Sequence, residues 1–245
     1  MRLQFVGCGD AFGSGGRFNT CFHVIGTHVN FLIDCGATSL VALKRLGIAL
    51  NDIQAILITH FHADHFGGLP PFMLDAQFFS KRTAPLTLIG PHELEPSFVR
   101  AMETAFPRSS RTKPKFPFRL LELTERRPVE INGLHVTSYL VNHGQAGGPF
   151  FAYRIEAEGR ILAYTGDTEW TEALIEVGKG ADLFIAEAYF REKRVPLHLD
   201  LATLEAHLPK IQPKRLILTH MSNDMLMRHD TVKHECAEDG MIVDI

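Results

Sequence analysis

Between Thr59 and His65 the chain reads THFHADH, three imidazoles and a carboxylate packed into six positions directly after the apolar run AILI. Such groups cost free energy to bury and gain nothing from packing, so their density at a strand end points to a cation that holds them together. On extended backbone alternate side chains share a side, which lets His60 and His62 chelate one ion. Asp64 and His65 follow where the strand turns and can face a second. Three more candidates occur downstream in the same setting: His143 in LVNHG, Asp167 in AYTGDT and His220 in LILTH, each just beyond an apolar strand. Five histidines and two aspartates are enough for two ions if Asp167 bridges them; roughly 3.5–4 Å is the usual spacing of such a pair. Imidazole and carboxylate suit zinc first, with manganese or iron as alternatives. A water shared by two divalent cations loses its proton near neutral pH and becomes a nucleophile. With two aspartates and one hydroxide the centre keeps a net charge of about +1, which favours an anionic electrophile or one that becomes anionic in its transition state. Phosphodiesters, lactones, thioesters and β-lactams all meet that condition.

Short strands alternating with helices would position these groups. RLQFV (2–6), CFHVI (21–25), NFLID (30–34) and AILIT (55–59) read as strands, most closed by Gly or Asp. SLVALKRLG has helical spacing and ends on Gly47, and LPPFMLDAQFF can form a helix with prolines in its first turn. PLTLIG reads as a strand and HELEPSFVRAMETAF as a helix. Residues 107–119, PRSSRTKPKFPFR, have three prolines and five basic residues without an apolar period. They form either a solvated connection or a substrate-facing loop that brings Arg111, Lys113 or Lys115 to an anion. Strands return from 119 to 166, with a hairpin at Glu158-Gly159-Arg160. Three strand and helix units then follow, to the final GMIVDI. No repeat or linker divides the chain, so a single α/β domain over 1–245 is expected, with sheets covered by helices.

A net charge of −3 gives no general affinity for nucleic acid or anionic membrane, so an anionic partner must be drawn by a local site. No 18-residue apolar stretch is present, and MRLQFVGCGDAF lacks the apolar core of a signal peptide. Cys8, Cys21, Cys35 and Cys236 form no CxxC pair and read as buried thiols of a reducing compartment, so a cytoplasmic location is expected.

His60-x-His62-x-Asp64-His65, followed in order by His143, Asp167 and His220, resembles the metallo-β-lactamase superfamily over nearly the whole chain. The resemblance implies a four-layer αββα sandwich. It also implies a ligand set: His60, His62 and His143 on the first metal, Asp64, His65 and His220 on the second, and Asp167 between them. Asp34 in LIDCG matches an aspartate that supports the metal loop from behind. DLFIAEAYF, ending its strand near Glu187, and VPLHLDL, with His198 before a helix, look like ribonuclease Z and its phosphodiesterase relatives. Carried over, His198 donates a proton to the departing alkoxide and Glu187 orients or charges it; Asp64, His198 and Glu187 are thus the catalytic candidates. From the residues alone, His198 could instead cap the helix that follows, and Glu187 could sit in a surface turn. The Gly13–Arg17 loop is either a tight turn or a set of backbone N–H groups for an anion.

The chain departs from ribonuclease Z in two places. Only 24 positions separate His143 from Asp167, where ribonuclease Z inserts an arm for transfer RNA, and the Ser-Thr after the family's histidine is Leu199-Asp200 here. A large nucleic acid is therefore not the expected partner, and a small nucleotide-derived phosphodiester fits better. Lactone or thioester hydrolysis, ribonuclease Z-like RNA 3′ processing and iron-dependent oxygenase chemistry are the alternatives. Ribonuclease Z relatives are commonly dimers, so a homodimer is in keeping with the resemblance. His23, His28, His92, His135, His207, His229 and His234 read as ordinary polar or capping residues.

Overall fold

A computed structural model describes all 245 residues. The first sheet is built from β1 (Arg2–Gly7), β2 (Cys21–Ile25), β3 (Asn30–Ile33), β4 (Ala55–Leu57), β5 (Leu86–Gly90) and β6 (Phe118–Glu122). The second is built from β7 (Val129–Ile131), β8 (Leu134–Leu140), β9 (Phe151–Ala157), β10 (Arg160–Tyr164), β11 (Leu183–Glu187), β12 (Leu216–Thr219) and β13 (Glu235–Cys236). The last strand, β14 (Ile242–Asp244), returns to the first sheet and pairs with β1. The sheet orders are β14-β1-β2-β3-β4-β5-β6 and β13-β12-β11-β10-β9-β8-β7. Helices α1 (Ser39–Arg45), α2 (Ala63–Phe66), α3 (Leu69–Leu74) and α4 (Leu94–Ala105) belong to the first half, and α5 (Ala173–Gly178), α6 (Leu201–Ile211) and α7 (Asn223–Leu226) to the second.

Strand alternation explains the layers. Phe31 and Ile33 face the interior between the sheets, together with Tyr153, Ile155, Leu162 and Tyr164 of the opposite sheet. Leu32, between them in sequence, points to the other side and joins Leu43, Phe72, Leu94 and Phe98 beneath the helices. On the second sheet Ala163, Phe184 and Leu218 pack outward against Leu174, Val177, Leu204 and Ile211 of α5 and α6. Three apolar cores in this order are the αββα sandwich that the resemblance implied. Continuous apolar runs such as AIL and LFIAE are explained by burial on both faces.

Strand direction decides where chemistry can sit. β3, β4 and β5 run parallel, as do β10, β11 and β12, and the antiparallel pairs around them turn β1 and β8 the same way. The carboxyl ends of all these strands therefore meet at one edge, which is where open α/β sheets form ligand crevices. The basic loop at 107–119 joins the end of α4 to the start of β6, whose Phe118 pairs with Leu86 at the start of β5. It lies at the opposite end of the sandwich. Lys115 lies over the Phe78 ring, and this placement favours the solvated connection between the two readings of the loop.

Candidate metal centre

The crevice collects all seven sequence-predicted ligands. His60, His62 and His143 bring one ligand atom each within 4.8 Å of one another, and so do Asp64, His65, Asp167 and His220. A third set within the same distance joins Asp167 and His220 to Glu187 and His198. His60, His65, Asp167 and His220 are almost wholly buried, whereas His62 and His198 stand at the open side.

Fixed partners behind each ring aim its other nitrogen inward. His65 Nδ1 is 2.7 Å from Asp34 Oδ2, and Asp34 also accepts from the Thr59 backbone N–H at 2.8 Å and the Thr59 hydroxyl at 2.9 Å. His60 Nδ1 meets the Thr59 hydroxyl at 3.0 Å. His143 Nδ1 donates to the Leu197 carbonyl at 2.7 Å, and His62 Nε2 donates to the Ala146 carbonyl at 3.1 Å. Metal-binding imidazoles are commonly held in this way through the nitrogen that does not ligate. Asp34 and His220 take left-handed backbone at φ 59° and 55°, which turns each side chain into the crevice as its strand ends.

Two glycines let these loops close. A Cβ on Gly36 would lie 2.1 Å from the Asp64 carbonyl oxygen, and one on Gly147, at φ 91°, 2.6 Å from the His62 ring.

Several of the inward atoms lack conventional partners. His60 Nε2, His65 Nε2 and Asp167 Oδ1 are buried without a hydrogen bond, whereas His220 Nε2 meets Asp64 Oδ2 at 3.2 Å and its Nδ1 stops 3.5 Å from Glu187 Oε1. His65 Nε2 and Asp167 Oδ1 approach to 3.2 Å without the geometry of one. Buried polar atoms are rarely left so, and here they converge. The electrostatics agree. Burial opposes charge on His65 and His220, yet Asp167, with Asp64, raises both well above the ordinary imidazole value. Asp167 is held well below the carboxylate range, against burial, by His220 and His65. His60 is pushed well below its usual value by burial and by His65, which leaves it a neutral donor. The cluster demands positive charge, and imidazole with carboxylate is the donor set of divalent transition metals. The residues fit the ions.

Beside the metal cluster stands the His198–Glu187 pair. Glu187 ends β11 fully buried, so it is in no surface turn. Its Oε1 bonds His198 Nδ1, and its Oε2 accepts from the Thr168 and Leu199 backbone N–H groups at 2.9 and 3.3 Å. His198 does not cap α6; Asp200 does, accepting from Thr203 N–H at 2.8 Å. Burial lowers the His198 basicity, but the hydrogen bond and charge of Glu187 outweigh it and raise the imidazole above its ordinary value. Tyr189 stacks on the His198 ring at 4.4 Å, a contact that sequence reasoning missed. It missed the carbonyls of Leu197 and Ala146 too, because a carbonyl carries no residue signature. Gly147 in HGQAGGPF was the one visible signal.

Known proteins share this fold. A ribonuclease Z of Agathobacter rectalis is 29% identical over 254 residues, covering 82% of this chain and 81% of its own. The crystal structure of the short form of human tRNase Z superposes with a TM-score of 0.79 at 23% identity, covering 100% of this chain and 99% of the other. A diphosphatase of the PhnP family superposes at 0.77 with 22% identity, covering 100% and 97%. The fold and donor set place the chain in the metallo-β-lactamase superfamily, on the ribonuclease Z side, among its metal-dependent hydrolases. Within it the chain belongs to the family described as Anti-Pycsar protein Apyc1, whose model matches residues 1–240.

Proposed function

We propose that this protein hydrolyses a small, nucleotide-derived phosphodiester at a centre of two divalent ions, zinc by donor type. In this reading His60, His62 and His143 hold one ion, Asp64, His65 and His220 the other, and Asp167 both. Such ions would supply Lewis acidity, which acidifies water and offsets charge on phosphoryl oxygens. The observation that carries the reading is the buried Glu187 oriented on His198 within 4.8 Å of Asp167 and His220. An alkoxide leaves poorly without an acid. With Nδ1 engaged by Glu187, His198 has Nε2 free to present a proton. As water oxygen joins phosphorus and the ester P–O bond breaks, that proton passes to the departing oxygen. Glu187 keeps the imidazole basic enough to be reprotonated, and its own position is pinned by Thr168 and Leu199.

A small substrate is supported by the interval between His143 and Asp167, which holds only β9, β10 and their short turns, and by the net charge of −3. Four free cysteines, three of them buried, support work in a reducing cytoplasm.

Leaving-group dependence tests the assignment. His198→Ala should slow esters of poor alkoxide leaving groups by about 10²–10⁴-fold, the usual range for a lost general acid. Bis(p-nitrophenyl) phosphate, whose leaving group needs little help, should slow far less, whereas His60→Ala should abolish both reactions. Equal losses on the two ester classes would remove His198 from the proton-donor role. Hydrolysis of lactones or thioesters with no phosphodiester turned over would move the chemistry to carboxyl esters.

A further inference from the structure

His143 and His198 lie in separate loops, after β8 and β11, yet their rings meet edge to face with centres 4.8 Å apart at 75°. One turn serves both: Val195 and His198 pair across it, with Pro196 and Leu197 at its corners. Leu197 takes left-handed backbone at φ 72°. Proline followed by a residue of positive φ is the pattern of a type II turn, whose second corner is ordinarily Gly or Asn because a bulky side chain there is strained. A leucine kept in that conformation needs something to hold it, and strain of this kind gathers at functional sites. Contacts on every side of the residue supply that hold. Its carbonyl accepts from His143 Nδ1 at 2.7 Å. Its N–H donates to Glu169 Oε2 at 3.3 Å, and its side chain closes on Gly144, where an added Cβ would lie 3.3 Å from Leu197 Cδ1. Glu169 in turn grips the residue before His143. Its Oε1 accepts from Asn142 Nδ2, and its N–H donates to the Asn142 carbonyl at 2.9 Å. A single carboxylate thus ties the residue before His143 to the residue before His198.

We infer that Glu169 and Leu197 are positioning residues, which keep the proton donor in register with the metal centre by holding this turn in its left-handed form. The inference rests on the phosphodiester reading. Both residues act through other groups: Leu197 through its carbonyl on His143 and through the chain on His198, and Glu169 through Leu197. Both Glu169 oxygens receive donors, so what the turn requires is an acceptor more than a charge. Glutamine supplies one. Its carbonyl can take the Leu197 N–H while its NH2 faces Asn142, whose amide turns over to accept. Alanine supplies none.

The test compares Glu169→Ala, Glu169→Gln and Leu197→Gly with the wild type on two esters of similar shape, bis(p-nitrophenyl) phosphate and diphenyl phosphate. The phenol of the second needs more help from an acid to leave. At saturating zinc, Glu169→Ala should lower kcat on diphenyl phosphate by about 10–100-fold, as for a small misplacement of a reacting group, with KM and the nitrophenyl ester much less affected. Competition with a chelating dye should show zinc bound about tenfold more weakly, because the carbonyl behind His143 is loosened. Glu169→Gln should restore most of both losses. Leu197→Gly gives the turn the residue its backbone favours, so it should melt within about 3 °C of the wild type and still lose the diphenyl phosphate rate. If Glu169→Gln is as impaired as Glu169→Ala, or if Leu197→Gly keeps the full rate on both esters, the inference is overturned and the phosphodiester reading stands. If the wild type cleaves neither ester, that reading falls and takes the His198 role with it. The dye measurement then decides the hold on His143: a loss in Glu169→Ala that Glu169→Gln restores upholds it, and equal zinc affinity in wild type and Glu169→Ala overturns it.

Discussion

At the end of the sandwich away from the crevice, Arg82 is as deeply buried as the metal ligands, yet its guanidinium closes on itself. Nε donates to the Ala84 carbonyl at 2.8 Å, Nη1 to Leu50 at 3.0 Å, and Nη2 to Pro85 at 2.6 Å and to Ile53. Burial lowers its pKa to about 10, opposed by Asp52, so it stays charged at neutral pH. These carbonyls precede β4 and β5 and have no ladder partner from the sheet, so Arg82 ties the starts of two strands together. In the crevice the polar atoms are no less buried, but three of the inward ones, His60 Nε2, His65 Nε2 and Asp167 Oδ1, have no hydrogen bond. Both arrangements place costly groups out of water. The first satisfies them with the protein's own backbone and adds stability. The second keeps them unsatisfied until a cation arrives, so it serves binding and not the bare fold.

Asp167→Ala is the largest test of this contrast. Turnover should disappear, and the variant purified alongside the wild type should retain less divalent metal by elemental analysis. Urea unfolding of the two chelator-treated proteins should show a loss below the roughly 3–5 kcal/mol of a broken buried ion pair, because the pairing of Asp167 with His65 and His220 goes but both imidazoles then release protons. A much larger loss would mean that Asp167 is part of the structural frame.

Arg82→Met should behave in the opposite way. The aliphatic stem is kept, but four carbonyls lose a donor. Leu50 keeps the Ile53 N–H, Ala84 and Pro85 are exposed, and the Ile53 carbonyl is left buried without a partner, at a cost of about 1–3 kcal/mol. Stability by denaturant titration should fall by about 1–3 kcal/mol, with metal content and kcat per folded molecule at wild-type values. A variant that folds well but loses metal would dissolve the distinction between the two ends.

Asp34→Asn lies between them, since Asp34 is buried, satisfied and in contact with a ligand at the same time. The amide fills the same space but no longer offers His65 Nδ1–H an anionic acceptor. Metal affinity measured by competition with a chelating dye should drop about 10–100-fold, as for other groups that orient ligands from behind. An unchanged affinity would reduce Asp34 to a strand-end turn residue.

The donors of the centre were legible in the sequence because they are short polar motifs that interrupt apolar strands. The layers were legible because runs such as AILI and LFIAE are too apolar for strands exposed on one face. Arg82 was not, since Lys81-Arg82 reads like any surface basic pair and only the tertiary fold supplies its carbonyls. The short strands β7 and β13 escaped notice because two or three residues carry no period. His207 read as ordinary polar, and its pairing with Trp170, 37 positions earlier, exists only because α6 packs beside the loop after β10. The 107–119 loop read as basic, but which end of the sheet it occupies depends on strand direction, which composition does not encode.

The smallest expected effect sharpens the contrast from a third position, a polar cluster at the Arg82 end that is open to water. Asp182, just before β11, accepts from Lys214 Nζ at 2.9 Å and the Ile161 N–H at 2.8 Å. Those two hydrogen bonds outweigh burial and hold its carboxyl below the ordinary value. A carboxylate with a depressed folded pKa contributes stability above its unfolded pKa of about 4 and loses it as pH falls through the folded value. Lys214 is exposed, so the contribution should be under about 1 kcal/mol. Thermal melts of chelator-treated wild type and Asp182→Asn should differ slightly at pH 6 and converge toward pH 2, where both side chains are neutral. A difference that persists undiminished in acid would mean that Asp182 acts through shape and backbone contact instead of charge, and that this end of the sandwich is held together by hydrogen-bond geometry at the surface as well as at Arg82.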